Sequence, residues 1–201
     1  MISVGLTGSI ATGKSEVAKL FSVVGIPVFD SDAEVHSLYV EKATRDSLGK
    51  VFPDVFVNGE IDRQRLGQRA LASPGDLRKL ESLIHPLVQR RREDFIAHWR
   101  KQGAPLVVLD IPLLFETGQE RELDYVVVVS ANEGVQRNRA MARPGMTEQK
   151  LAGIVARQMP DAEKRGRADF VIENSGSLEH LRTQVDTLTK KLTKLARDHK
   201  P

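Results

Sequence analysis

The chain has 201 residues, no cysteine, and 30 basic against 27 acidic side chains, for a formal charge of +3. This length suits one domain with appendages, and the missing thiols exclude disulfides, zinc–thiolate sites and a cysteine nucleophile while fitting a reducing cytoplasm. A small positive excess with 5% aromatic residues suits an anionic small ligand and argues against a nucleic-acid surface built on stacked bases.

The N-terminus, MISVGLTGSIATGKS, has neither a basic leader nor a long apolar run, so it does not read as a signal peptide. No apolar stretch is long enough to cross a bilayer, and the expectation is a soluble protein with no membrane partner. Ile2–Thr7 is a short run of apolar and small residues, predicted as a strand. Gly8-Ser9-Ile10-Ala11-Thr12-Gly13-Lys14-Ser15 follows and matches G-x-x-x-x-G-K-[ST] in full. An amphipathic helix is predicted from about Gly13, through Val17, Leu20 and Phe21, to a stop near Gly25. A strand, this loop and a helix in succession form an anion cradle. The glycines let the backbone curl, and the loop N–H groups and the helix N-terminus face phosphate. Lys14 can reach the outer phosphates, and the Ser15 hydroxyl can ligate Mg²⁺. Nucleoside triphosphate binding is the strongest inference from the residues. By itself it does not separate an enzyme from a switch or a motor.

Ile26–Asp30 predicts the second strand, and Asp30-Ser31-Asp32 follows it. Asp32 is placed either to orient an acceptor hydroxyl and take its proton or to cap a helix beginning near Ala33. The stretch from Asp32 to Gly103 predicts helices at Ala33–Glu41, Asp62–Leu71, Gly75–Ile84 and Leu87–Lys101, with turns at Pro53, Asn58-Gly59 and Ser73-Pro74-Gly75. It is read as a helical insertion without an obvious strand. His85-Pro86 is placed at a helix boundary, with Pro86 in the first helical position and His85 either structural or functional. Arg90-Arg91-Arg92 is read as a solvated helix face.

Leu106–Ile111 predicts the third core strand. Asp110 at its end is either a Walker-B-like acid near Mg²⁺ or an ordinary strand-end carboxylate. Tyr125–Ser130 and Phe170–Glu173 predict two more strands. Continuous apolar runs alternating with helices imply a parallel sheet buried on both faces, an α/β class. Between the last two strands lies a helical segment rich in arginine, part of it read as a lid. Arg139 and Arg143, four apart, either meet phosphates or face water. A last helix with Leu178, Leu181, Val185, Leu188, Leu192 and Leu195 is expected to pack on the sheet rather than form a coiled coil, and Ala196–Pro201 is expected to fray. A guanine-reading motif and a D-x-x-G after the third strand, which a GTP switch would need, are both missing.

In order along the chain, LTGSIATGKS, GIPVFDSD, Ile84-His85-Pro86, the DIPLLFE of Asp110–Glu116, the Q-x-x-R-x-x-x-R of Gln136–Arg143, Arg157-Gln158-Met159-Pro160 and ADFVIEN ending at Asn174 resemble the dephospho-CoA kinases from Ile2 to Arg182. The resemblance implies transfer of the ATP γ-phosphate to the ribose 3′-hydroxyl of 3′-dephospho-CoA, the final step of coenzyme A synthesis. The main enzymatic rival is another P-loop kinase, acting on a nucleoside monophosphate or a small metabolite. The resemblance also implies a P-loop core (1–31, 104–131 and 168–201), an acceptor-binding helical subdomain (32–103) and a lid region (132–167). Carried over residue by residue, Gly8, Ala11, Thr12, Gly13, Lys14, Ser15 and Glu16 meet ATP, and Asn174 lies near the adenine. Thr7, Asp32, His85, Pro112, Leu113 and Leu114 border the acceptor. Lys14, Asp32, Arg139 and Arg143 carry the chemistry, and Ser15 and Asp110 serve Mg²⁺. Pro144 follows Arg143 where an acid is frequent.

Overall fold

The computed structural model describes residues 1–198. The chain runs β1 (Ile2–Gly8), α1 (Lys14–Val23), β2 (Val28–Asp30), α2 (Ser31–Leu38), α3 (Lys42–Val51), β3 (Phe56–Val57), β4 (Glu60–Ile61), α4 (Arg63–Ala72), α5 (Pro74–Lys101), β5 (Leu106–Asp110), β6 (Tyr125–Ser130), α6 (Glu133–Met141), α7 (Glu148–Val155), α8 (Asp161–Arg167), β7 (Phe170–Glu173) and α9 (Leu178–Asp198). It divides into two compact units. One holds Met1–Phe29 and the chain from Ile96 onward, and the other is Asp30–Phe95. The expected insertion, 32–103, therefore differs from the compact unit at its far end, where the last residues of α5 group with the sheet.

The first unit is built on a five-stranded sheet in the order β2-β5-β1-β6-β7. β1 pairs in parallel with β5, from Ile2 opposite Leu106 to Leu6 opposite Asp110. It pairs in parallel with β6 on its other side, and β6 pairs in parallel with β7. Strands that are continuous Val, Leu and Ile have no polar face to offer water, so helices must cover both sides. Connections lead to opposite sides of β1, which makes its C-terminal end the point where the strand order reverses. Ligands of such sheets bind there.

Aspartates fix the register at the other edge. The Asp124 carboxylate accepts from Ser3 N at 2.7 Å and from Ser3 Oγ at 2.9 Å. The Asp169 carboxylate accepts from Val126 N at 2.8 Å. One face of the sheet carries α1 and α9, whose Val17, Leu20, Phe21, Leu181, Val185, Leu188 and Leu192 join β1, β5 and β6 in one core. Each such side chain contributes about 1.5–3 kcal/mol on burial. The middle of the α9 spacing is thus the stripe of a helix docked on its own sheet, whereas Leu178 at its start is exposed. Among Ala196–Pro201, where fraying is expected, residues through Asp198 are still helical, and 199–201 lie outside the described residues. No helix among the described residues is long and apolar enough to cross a membrane.

The second unit has its own core of Leu38, Leu48, Phe52, Val55, Leu66 and Ile84, and four expectations need correction there. Helix α3 lies where none is expected. Asn58-Gly59 is a turn as expected, but it closes a two-stranded hairpin of β3 and β4 in a stretch read as having no strand. Asn58 (φ 52°) and Gly59 (φ 82°) take the left-handed pair that a tight hairpin requires. Most clearly, α5 runs unbroken through Pro86. A mid-helix proline loses one backbone hydrogen bond and costs about 3 kcal/mol. The turns around it hold Leu80, Leu83 and Ile84 before it and Val88 after it in the same apolar cluster, and that burial outweighs the loss. His85 is accordingly an exposed mid-helix residue. Arg92, read as part of a solvated face, is 9% exposed.

Candidate active site

The site forms at the end of β1. Gly8 sits so close to β6 that a Cβ would stand 2.5 Å from the Val129 carbonyl oxygen and 2.8 Å from Thr12 Oγ1. Only glycine lets the strand turn there. The loop then closes on itself, with Thr12 N and Thr12 Oγ1 donating to the Ser9 carbonyl at 3.3 and 2.9 Å. Ala11 holds φ at 60° and Gly13 at 92°. A non-glycine residue in this region costs about 1–2 kcal/mol and persists only where its surroundings over-determine it. Gly13 is the N-cap of α1 and provides no side-chain acceptor. The first turn of α1 thus offers its N–H groups and positive dipole end to an anion. Ser15 stands exposed in that turn.

Side chains from late in the sequence hold the loop. The Asn174 amide, 7% exposed, donates from Nδ2 to the Thr12 carbonyl at 2.8 Å. The backbone carbonyl of Asn174 accepts from Arg139 Nη1 at 2.8 Å, which brings that guanidinium beside the loop. Gln136 Nε2 donates to the Ile10 carbonyl at 2.7 Å, and Ile10 N donates to Gln158 Oε1 at 3.0 Å. The side chains of Ile10 and Ala11 pack with Ala140, Met141, Met146 and Leu151 of α6, α7 and the turn between them. The Asn174 side chain, which the resemblance places near the adenine, braces the loop backbone.

Lys14 Nζ forms an ion pair with Asp110, whose side chain is 5% exposed at the end of β5. The acid at the third core strand thus faces the loop lysine. Just beyond it, the Thr7 hydroxyl donates to the Pro112 carbonyl at 3.1 Å, tying the end of β1 to the loop after β5. Leu113 is exposed, whereas Leu114 is fully buried, against Gly5. The Leu114 side chain is core, and of this pair Leu113 is the one presented outward.

Glu116, the last residue of DIPLLFE, anchors the same loop. Its Oε1 accepts from Met159 N at 2.7 Å and lies 2.9 Å from the wholly buried Lys164 ammonium. Burial alone would raise the Glu116 carboxyl. The hydrogen bonds from Lys164 and Met159 outweigh it and hold the group below the usual glutamate range. At the ends of β6 and β7, Ser130 Oγ donates to Asp161 at 2.6 Å, and Arg165 donates to Ser130 and to Glu173 at 2.9 and 2.7 Å. Burial would likewise raise Glu173, but bonds from Ser175 and Arg165 keep it low.

These contacts sort the arginines of 132–167. Arg165 and Arg167 are structural, Arg167 pairing with Glu120 at 2.7 Å and lying over Phe115. Arg137 pairs with Glu148. Arg143 and Arg157 are exposed and take part in no ion pair among the described residues. Arg139 and Arg143, although four apart, do not share a helix face, because α6 ends at Met141. Pro144 disfavours helical backbone at Arg143, so Arg143 stands on the turn beyond.

Asp32 and His85 belong to the other unit. The helix after β2 is capped by Asp30, whose Oδ1 accepts from Ala33 N at 2.9 Å. Asp32 lies one residue inside α2 and is exposed. The capping alternative for Asp32 is thereby removed. Glutamines 136 and 158, Glu116 and Lys164 are the site residues that sequence reasoning missed. The first three sit inside quoted motifs, and their partners lie 43 to 148 residues away.

Comparison with known proteins agrees with this architecture. The family model described as "Dephospho-CoA kinase" matches residues 2–180. A protein of Agrobacterium fabrum named dephospho-CoA kinase is 49% identical over 192 residues, 96% of this chain and 98% of its own length. The crystal structure of TT1252 from Thermus thermophilus superposes with a TM-score of 0.83 at 37% identity, over 95% of this chain and 97% of that one. The dephospho-CoA kinase from Campylobacter jejuni has the same fold, with a TM-score of 0.72 at 24% identity over 96% and 97% of the two chains.

Proposed function

The chain belongs to the dephospho-CoA kinase family, and from that membership we infer that it phosphorylates the ribose 3′-hydroxyl of 3′-dephospho-CoA with ATP, completing coenzyme A. The observation that carries this reading is the braced phosphate loop at the reversal point of the sheet, in a chain matched by that family over nearly its full length.

The loop N–H groups and the N-terminus of α1 hold the phosphates, and Lys14 neutralises charge on the β- and γ-oxygens. Asp110 holds the ammonium at the mouth of the loop, from which a triphosphate can draw it. The Ser15 hydroxyl and the Asp110 carboxylate are hard oxygen donors of the kind Mg²⁺ takes, one or two from protein and the rest from phosphate and water. When bound, Mg²⁺ would offset charge on the transferring group. Arg139 beside the loop, and Arg143 and Arg157 on the turns beyond α6 and α7, are the cations available to the equatorial oxygens. Asp32, exposed and not a cap, is the proposed acid that orients the acceptor hydroxyl and takes its proton. His85, Pro112 and Leu113 are proposed to border the acceptor.

The test is to incubate the pure protein with Mg-ATP and, separately, dephospho-CoA, AMP, adenosine and shikimate, then identify the phosphorylated product. Coenzyme A as the main product is expected. Preference for AMP, or ATP hydrolysis unaffected by any acceptor, would overturn the assignment.

A further inference from the structure

Two amide side chains converge on one residue of the phosphate loop. Gln136 donates to the carbonyl of Ile10, and Gln158 accepts from its N–H. The backbone fixes the polarity: a carbonyl can only accept and an N–H can only donate, so Gln136 must present its NH₂ and Gln158 its oxygen. Ile10 immediately precedes Ala11, the non-glycine residue held at φ 60°. The grip is thus placed where the loop needs an outside constraint.

The two glutamines are themselves held. Gln136 lies three residues before Arg139 on α6, so both side chains occupy one helix face, one reaching Ile10 and the other bordering the loop beside Asn174. Gln158 precedes Met159, whose N–H is fixed by Glu116, which is fixed in turn by the fully buried Lys164. The packing of Ile10 and Ala11 on α6 and α7 completes the junction.

We propose that Gln136 and Gln158 are positioning residues for phosphoryl transfer. By holding the backbone of Ile10 from both sides they set the shape of the phosphate loop and tie it to the segment that carries Arg139, Arg143 and Arg157. Nucleotide seating and placement of those arginines are then a single event, because a shift of either moves the other through Ile10. This inference rests on the kinase reading above for its functional meaning.

The test uses the full chain with Q136M, Q158M, the double variant, and the pair Q136E and Q158E. Mg-ADP affinity is measured by calorimetry, the KM for ATP and for dephospho-CoA and kcat by steady-state assay, and stability by urea unfolding. Each methionine variant should weaken Mg-ADP binding by about 5-fold, the size of one lost hydrogen bond. The KM for ATP should rise in parallel, and that for dephospho-CoA should stay within about 2-fold. The double variant should lose less than the product of the singles, since both act on one residue. The two glutamates add the same charge, but Q158E keeps an acceptor for Ile10 N–H, whereas Q136E sets two acceptors face to face. Q136E should therefore bind Mg-ADP at least about 5-fold more weakly than Q158E. Methionine variants with unchanged Mg-ADP affinity and lowered stability would assign the glutamines to the fold alone and overturn the proposal, as would equal losses for the two glutamates. If the wild type fails to phosphorylate dephospho-CoA while the Mg-ADP affinities follow this pattern, the acceptor assignment falls and the clamp stands.

Discussion

Replacing Gly13 with alanine tests how the loop is braced, and its cost can be worked out from two separate sources. Gly13 holds φ at 92°, where an L side chain costs about 1–2 kcal/mol. Its new Cβ would also fall well inside 3.0 Å of Asn174 Nδ2 and 3.3 Å from Asn174 Cγ. The amide is buried and donates to Thr12. Moving it away would leave a buried carbonyl unsatisfied, for about 1–3 kcal/mol. The sum is about 2–5 kcal/mol. In an Asn174→Ala background the clash and the hydrogen bond are both already gone. There Gly13→Ala should cost only the backbone part, about 1–2 kcal/mol. The double variant should thus fall short of the summed singles by about 1–3 kcal/mol. Urea unfolding followed by Trp99, the single tryptophan, measures all four corners, and Mg-ADP calorimetry should show the loop variants binding about 10-fold or more weakly. Strict additivity of the two substitutions would refute the account, because it would mean that the Asn174 amide does not feel the Gly13 Cβ.

Lys14→Met should reduce turnover by at least about 100-fold and lower the unfolding midpoint by taking the ammonium from buried Asp110. Adding Asp110→Asn should restore part of the midpoint and none of the turnover, and recovered turnover in the double variant would make the lysine structural. Asp32→Asn should leave the midpoint unchanged, because Asp30 is the cap, while cutting kcat by roughly 10²–10⁴-fold, nearer the lower end for a loose transition state. Asp30→Ala should cost about 1 kcal/mol of stability, and full kcat in Asp32→Asn would send the search for the acid elsewhere. Glu116 sets a pH dependence with a definite sign. Its folded carboxyl is held low, so its contribution is complete above the ordinary glutamate range, about 4.3, and is lost as pH falls through the lower folded value. Glu116→Gln should therefore lose unfolding midpoint less steeply than wild type between about pH 5 and 3, and equal slopes would show that the Lys164 and Met159 bonds do not favour the ionised form.

The core was legible wherever the signal is local. The apolar runs at Tyr125–Ser130 and Phe170–Glu173 coincide with strands β6 and β7, and Leu181, Val185, Leu188 and Leu192 of α9 face the sheet, because burial on both faces or on one stripe imposes a period on neighbouring residues. Gly8 through Ser15 were legible because the anion cradle is built from consecutive backbone. What escaped depends on partners distant in sequence. Pro86 looks like a helix boundary until the apolar side chains on both sides of it are seen to share one cluster. Asp30 and Asp32 are equally good caps by composition, and only the actual start of α2 separates them. Gln136, Gln158 and Glu116 sit in recognisable motifs, but nothing local says that they aim at Ile10 and Met159. The break at Arg143, by contrast, was available in the sequence through Pro144, whose effect on the preceding residue is a local rule.

The central position of β1 has a consequence for how the protein is made. β1 leaves the ribosome well before its two neighbours in the sheet, which begin at Leu106 and Tyr125. The brace on Thr12 comes from Asn174, 162 residues later. A nascent chain that has just exposed its nucleotide loop therefore has nothing to shape it. The first strand must wait, apolar on both faces, while the compact unit of Asp30–Phe95, with a core of its own, is synthesised and can collapse. At about 5–20 residues per second the 162 residues from Thr12 to Asn174 keep the loop waiting from about eight seconds to over half a minute. Pairings so far apart in sequence also form slowly. The braced phosphate loop thus forms only once Asn174 has been made, and a chain released before it would carry every residue of the loop without the brace that shapes it.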